Sequence, residues 1–295
     1  MKIIVTHGSP DLDAITSVWL IKKFLPGWEN AQVKFVPAGD RIDLSNEKIS
    51  PEDYTAEIET IGEDEVIHVD TGLGPLDHHQ TDSDKVCAAS LTFDFVASQA
   101  KIKEEKLLAL KRMVRVIVDN DHFKDVYRPD ALADYHEFEL EGILEGLKYK
   151  EPGKDDVYID FITACLDAII HNFENRIWAE KEIAESGQKY AIKAGKMLAI
   201  ETLNDSVIKL AQMTGFALVI RKDPKNGNAR IKASPKADID LTAVYQKLRK
   251  LDPQATWFLH VNKKMLLNGT SKSTKMKPTK LSLSEIVEVI KKIYG

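Results

Sequence analysis

The spacing of apolar positions changes several times along the chain, and each change marks an element. Residues 2–6 (KIIVT) form a short β-branched run that reads as a strand. Pro10 and Asp11 end it. The helix that follows carries Ile15, Val18, Trp19 and Ile21 on a broad apolar face and is closed by Pro26-Gly27. Gln32 to Pro37 reads as a second strand and Val66 to Asp70 as a third, with the turn Thr71-Gly72-Leu73-Gly74-Pro75 after it. Helical periods cover about 88–100 and 104–118. Strands alternating with helices predict an α/β fold with a mainly parallel sheet and flanking helices in the N-terminal lobe.

From about 157 to 200 the period is different. Ile162, Leu166, Ile169, Phe173 and Ile177 recur at spacings of three and four, one face of a long linker helix interrupted in pattern only by Gly187 and Gly195. The remainder restarts as a small α+β lobe. Strands are expected at Phe216–Arg221, Ala229–Ala233, Thr256–Val261 and Met265–Leu267, and a helix at Leu241–Leu251. Ser282 with Glu285 forms a capping box ahead of the stripe Ile286, Val289, Ile290 and Ile293. The expected domains are 1–155, a linker helix over 156–202, and 203–295.

Composition narrows the class. The chain has 295 residues, enough for about two domains, and its two cysteines, Cys87 and Cys165, form no CxxC pair. Neither a disulfide framework nor a thiolate zinc site is expected. The apolar N-terminal run is shorter than the roughly 7–15 residues of a secretory segment, and no stretch approaches the roughly 20 of a membrane span. A cytoplasmic protein without membrane contact is the expectation. Charge is uneven: residues 201–295 hold 18 Lys+Arg against 8 Asp+Glu, so the net −5 of the whole chain conceals an acidic first part. An acidic lobe concentrates divalent cations and a basic one holds phosphate-rich ligands.

Candidate chemistry gathers in the acidic part. Four segments place carboxylates and imidazoles at element ends: His7 with Asp11 and Asp13; Asp70; Asp77-His78-His79; and Asp119-Asn120-Asp121-His122. In α/β sheets ligands collect beyond the carboxyl ends of the strands. Mixed Asp/His ligation suits Mn²⁺, with Mg²⁺, Co²⁺ or Fe²⁺ as competitors. Two ions about 3.5–4 Å apart would account for the ligand number, activate water and clamp the oxygens of a phosphoryl group. His68 is either a partner orienting a ligand or a core histidine, and His122 either a partner of the fourth segment or a loop residue.

The segments HGSPDLDA (7–14), VD (69–70) and DHH (77–79) resemble the first three motifs of the DHH phosphoesterase superfamily. LDHHQ (76–80), VDN (118–120), the helix bearing Phe161, Phe173 and Arg176, and WFLH…LLNG (257–269) are similar to the melanocyte-proliferating-gene type of DHH-like proteins. The resemblance implies a Mn²⁺-dependent hydrolase with a catalytic lobe, a linker helix and a C-terminal substrate lobe. It implies His7, Asp11, Asp13, Asp70 and His78 as metal ligands, with Asp13 or Asp70 bridging. Asp119 follows as the fourth-motif ligand, with Asp121 as its rival. Asp13 and His79 would serve the chemical step, and His79 would also face the phosphate.

The glycine-rich GGGH sequence of the common DHH-associated domain is absent. The nearest feature is His260 with Asn268-Gly269-Thr270-Ser271, followed by Lys272, Lys275, Lys277 and Lys280. Gly269 amide, Lys272 and Lys275 are candidates for gripping phosphate, as is Arg221; a solvated loop and a strand-edge charge are the alternatives. Trp257 or Phe258 beside His260 is a candidate for base stacking, whereas Trp19, Trp178 and Phe173 read as core.

The expected activity is phosphodiester hydrolysis on short RNA or nucleotides in a cleft between lobes. A pyrophosphatase or nucleotide phosphomonoesterase is the alternative within the superfamily, and a nucleotide-sensing protein without turnover the alternative outside it. The oligomeric state stays open, a homodimer included.

Overall fold

The computed structural model describes residues 1–42, 55–269 and 275–295. It is a mixed α/β structure that divides into two compact units, Met1–Glu174 and Asn175–Gly295. Among the described residues no helix is long and apolar enough to cross a membrane.

The first unit holds a four-stranded sheet in the order β2-β1-β4-β3. Its strands are β1 (Lys2–His7), β2 (Gln32–Val36), β3 (Glu59–Ile61) and β4 (Asp64–His68). β1 runs parallel to β2 and β4, as the alternation of strand and helix requires; β3 pairs antiparallel with β4 and is too short to have been expected. The first crossover is α1 (Leu12–Phe24), capped by Asp11, whose carboxylate accepts from the amide of Ala14. Residues Leu12 to Ile21 are all buried, so this helix is enclosed on every side. α2 (Ala88–Gln99) and α3 (Glu104–Asp121) pack with it and against each other. Two short 3₁₀ turns, Lys124–Tyr127 and Asp134–Phe138, bury none of their residues, and α4 (Leu140–Lys150) follows.

α5 (Asp155–Glu185) is the long helix, and the boundary between the units falls inside it. It stops well before the expected residue 200, and β5 (Gln188–Ile192) and β6 (Gly195–Glu201) take the remaining length. The reason lies at the two glycines that broke the helical period. A Cβ at Gly187 would stand 2.5 Å from the carbonyl of Ile183, and Gly195 adopts φ +126 at the hairpin.

β5 and β6 therefore belong to the second unit, whose six-stranded sheet runs β5-β6-β7-β8-β10-β9. The others are β7 (Phe216–Lys222), β8 (Ala229–Ala233), β9 (Trp257–Leu259) and β10 (Met265–Asn268). Only β6 and β7 pair in parallel. Side chains alternate between two cores. Met197, Ala199, Leu218, Ile220 and Ile231 pack with α7 (Thr242–Leu251) and α8 (Leu283–Tyr294). Leu198, Ile200 and Val219 pack with Ala179 and with α6 (Ser206–Met213), a helix the sequence reading omitted. The Ser282–Glu285 capping box forms as expected.

Candidate metal centre

The site grows out of two adjacent parallel strands. Val5 lies opposite His68, and Val69 donates its amide to the carbonyl of Val5, so His7 and Asp70 leave the sheet side by side. His7 turns its Nε2 to 3.2 Å from Asp70 Oδ2 and 4.0 Å from Asp11 Oδ2. Its Nδ1 donates to the carbonyl of Gly8 at 2.9 Å. In a neutral ring that tautomer leaves Nε2 as a lone pair facing a carboxylate, which needs either a proton or a cation between them. Burial disfavours the charged ring, but the Asp70 hydrogen bond, the Gly8 carbonyl and the charges of Asp11 and Asp70 outweigh it and raise its pKa to about 9.

Asp70 sits at φ +54 beyond the end of β4 and is buried. Its two oxygens divide: Oδ2 faces His7, while Oδ1 lies 3.7 Å from both His78 Nε2 and His79 Nδ1. Asp13, on the first turn of α1, is held by the start of α2, where the amides of Ala88 and Ala89 each donate to it at 2.7 Å. Its Oδ2 stands 3.7 Å from His78 Nε2. Asp121, the last residue of α3, brings Oδ2 to 3.6 Å from the same nitrogen.

His78 Nε2 is thus ringed by three carboxylates at distances too long for hydrogen bonds. Ligand atoms about 2.0–2.2 Å from a shared ion stand about 3–3.5 Å apart, close to this spacing. Asp70 Oδ1, His78 Nε2 and Asp121 Oδ2 are all buried without a hydrogen-bond partner. Among the described residues, three groups bring their ligand atoms within 4.8 Å of one another: His7, Asp11 and Asp70; Asp70, His78 and His79; and His78, Asp121 and His122. Buried acceptors left unpaired are costly, and divalent cations satisfy all of them at once. The residues present therefore fit a metal centre, with Asp70 and His78 each shared by two of its three groups.

Electrostatics agree with that fit. Burial, then the charge of Asp70, pushes the Asp13 carboxyl well above the ordinary range. Burial likewise raises Asp70 against the opposing His7 hydrogen bond, and raises Asp121 against His78. Three crowded carboxylates cannot all ionise without positive charge among them.

Not every expected residue joins the cluster. Asp119 is two positions from Asp121, about 200° around an α-helix, and its carboxylate pairs with Lys124 at 3.6 Å on the half-exposed side. The structure brings Asp121 to His78 and leaves Asp119 outside. His68 turns away from the cluster. Its Nδ1 lies 3.1 Å from Arg41 and its Nε2 accepts from the amide of Ile42, so it braces the wall of the sheet. His122 contacts the carbonyl of Val86 at 2.8 Å through Nε2 and packs its ring edge-on to His78.

Asp77 has a role that the sequence reading left unassigned. Its buried carboxylate accepts from the amides of Leu73 and His79 and pairs with His79 Nδ1 at 2.6 Å. Burial opposes ionisation, but these contacts hold its carboxyl below the ordinary range. They also raise His79 against its own partial burial and leave the ring more than half exposed. A carboxylate directly before two histidines was the available signal.

In the second unit the expected phosphate ligands are placed differently. Arg221 lies on the interior strand β7, is only 4% exposed, pairs with Asp205 and Asp223, and donates to the carbonyl of Leu203. These contacts are all internal to this unit. Gly269 is buried at φ +67 beside the Asn228 side chain, so its glycine serves the chain turn. His260, half-buried, accepts from the amide of Asn262 at 3.3 Å. Lys275 is exposed. Lys272 lies outside the described residues. Trp257 is core, whereas Phe258 is about half exposed.

Fold and site together define a mixed α/β protein whose parallel strands carry a His/Asp cluster that could hold divalent cations. No protein-family model and no curated protein matches the chain. Solved structures do match over its length. An uncharacterized protein from Helicobacter pylori is 13% identical, with a TM-score of 0.27, over 100% of this chain and 99% of that one. A pGpG-specific phosphodiesterase from Vibrio cholerae is 13% identical, with a TM-score of 0.28, over 98% of each chain. A Methanococcus jannaschii protein assigned as a family II inorganic pyrophosphatase is 14% identical, with a TM-score of 0.24, over 100% of this chain and 99% of that one. Likenesses so distant assign no activity, which must be carried by the residues themselves.

Proposed function

We propose that this protein is a divalent-metal-dependent phosphohydrolase of the DHH type, acting on phosphodiester bonds of short RNA or nucleotides. One observation carries the reading. The ligand atoms of His7, Asp11, Asp70, His78 and Asp121 converge, with Asp70 dividing its oxygens between two groups and three buried atoms unpaired. One ion would be held by His7, Asp11 and Asp70, and a second by Asp13, Asp70, His78 and Asp121, with Mn²⁺ favoured by the mixed oxygen and nitrogen donors. Bound there, the pair supplies a Lewis-acid centre that lowers the pKa of water and neutralises phosphoryl charge.

The chain's own groups do the rest. The Gly8 carbonyl fixes the His7 tautomer so that Nε2 is the ligand atom. The α2 amides orient Asp13. His79, aimed by Asp77 and with its pKa raised by that contact, presents its exposed edge to a phosphoryl oxygen, where a donor stabilises developing charge.

Phosphate compounds from pyrophosphate through dinucleotides to short RNA, assayed with Mn²⁺, test the proposal. Hydrolysis of a dinucleotide or short RNA that Asp70→Asn abolishes is the expected result. Activity on pyrophosphate alone would replace the substrate, and metal-dependent binding without any product would replace the enzyme by a sensor.

A further inference from the structure

Among the described residues, five non-glycine residues adopt positive φ: Ser9, Asp70, Leu73, Phe123 and Lys263. The first four lie at or within three residues of a cluster ligand. Backbone strain gathered at one site marks function rather than accident. Ser9 and Asp70 are small polar residues that tolerate the left-handed region. Leu73 and Phe123 are not, and neither is compensated by burial, since Leu73 is 52% exposed and Phe123 71%.

Phe123 is the more telling. It follows the C-cap of α3, where glycine is the usual occupant because it carries no Cβ penalty. Two residues before it is Asp121, so their Cα atoms are at most about 7.6 Å apart. Phe123 also follows directly on His122, whose ring packs edge-on to His78, so its backbone stands beside the cluster. Val126, Tyr127, Leu132 and Phe138 are also exposed nearby in sequence, but none of them stands on left-handed backbone.

We infer that Phe123 is the stacking platform for the base of a nucleotide substrate, and so the residue that sets preference for nucleotides over smaller phosphate esters. Leu73, three residues after Asp70, borders the cluster as a second apolar contact. The inference rests on the nucleotide reading above and deepens it.

The test compares wild type, Phe123→Ala and Phe123→Trp. Each is titrated with a fluorescein-labelled 5′-phosphorylated dinucleotide and with its abasic counterpart, using polarisation in Ca²⁺, and hydrolysis of the unlabelled dinucleotide is followed in Mn²⁺. Phe123→Ala should weaken dinucleotide binding and raise KM about tenfold, the scale of one base–aromatic stack. Binding of the abasic ligand should not change, and Phe123→Trp should restore wild-type binding. Equal dinucleotide binding by wild type and Phe123→Ala would overturn the inference alone. So would equal losses for both ligands, or a change in oligomeric mass without a change in binding. A wild-type protein that cleaves pyrophosphate but neither binds nor cleaves the dinucleotide would instead overturn the nucleotide reading, and the inference with it.

Discussion

Asp121 and Asp119 offer the sharpest test of the metal centre, because they are close in sequence and opposite in environment. Asp121 Oδ2 is buried, unpaired and 3.6 Å from His78 Nε2. Burial, with the charges of Asp11 and Asp70, raises its pKa, and a carboxylate at the carboxyl end of α3 also opposes the helix dipole. Without metal it should therefore destabilise the fold. Asp121→Asn relieves that repulsion, so the metal-free variant should melt no lower than wild type.

With metal the sign reverses. Groups that merely support a ligand are worth about 10–100-fold in affinity, and a ligand should cost at least the upper end, about 2.8 kcal/mol. At Mn²⁺ one hundred times above the wild-type Kd, linkage stabilises the wild type by about 2.7 kcal/mol and a variant bound 100-fold more weakly by about 0.4 kcal/mol. Asp119→Asn removes only a surface pair with Lys124, worth about 0–1 kcal/mol, and should leave Mn²⁺ affinity within about threefold. Calorimetric Mn²⁺ titration and melting with and without metal read both variants. If Asp119→Asn lost as much affinity as Asp121→Asn, the assignment and its helical-face argument would be wrong.

Three further outcomes follow from particular contacts. Asp77→Asn should lower kcat about 10–100-fold while leaving Mn²⁺ affinity nearly unchanged, because Asp77 acts through the orientation of His79; steady-state kinetics beside a metal titration separates the two. Gly187→Ala should destabilise by about 1–3 kcal/mol, since the added Cβ meets the Ile183 carbonyl at 2.5 Å and a Leu198 methyl at 2.8 Å, and denaturant melts report it. Burial alone would raise Asp252, but the Lys280 amide and the Thr279 hydroxyl hold its carboxyl below the ordinary range. A depressed folded pKa gives stability that is present above the unfolded value and is lost as pH falls through the folded one. Asp252→Asn should thus lower Tm at neutral pH and cost progressively less below about pH 4, as thermal melts across that range would show.

Much of this was legible along the chain, because local rules sufficed. Strand β1 and helices α1, α2 and α3 each follow from periodicity, and α8 from its Ser282 capping box. That His7, Asp11, Asp13, Asp70 and His78 gather at one edge was legible for a related reason. Strand-to-helix turns in a parallel sheet all open at the same edge, so polar residues at such turns converge.

What the chain did not reveal depends on contacts distant in sequence. α5 and the β5–β6 hairpin share one apolar run, and only the Gly187 contact with Ile183 and Leu198 shows where helix yields to strand. Asp119 and Asp121 are equivalent in composition. α3 running on to Asp121 decides which of them meets His78, 43 residues earlier in the chain. Arg221 reads along the chain as a phosphate clamp or a strand-edge charge, and interior placement in a six-stranded sheet makes it an internal partner of Asp205 and Asp223. Sequence by itself determined which segments place carboxylates and imidazoles at element ends, because turn and cap preferences act over a few residues. Tertiary structure alone decided which side chains within those segments meet, because helical phase and strand register are settled by packing between elements far apart in the chain.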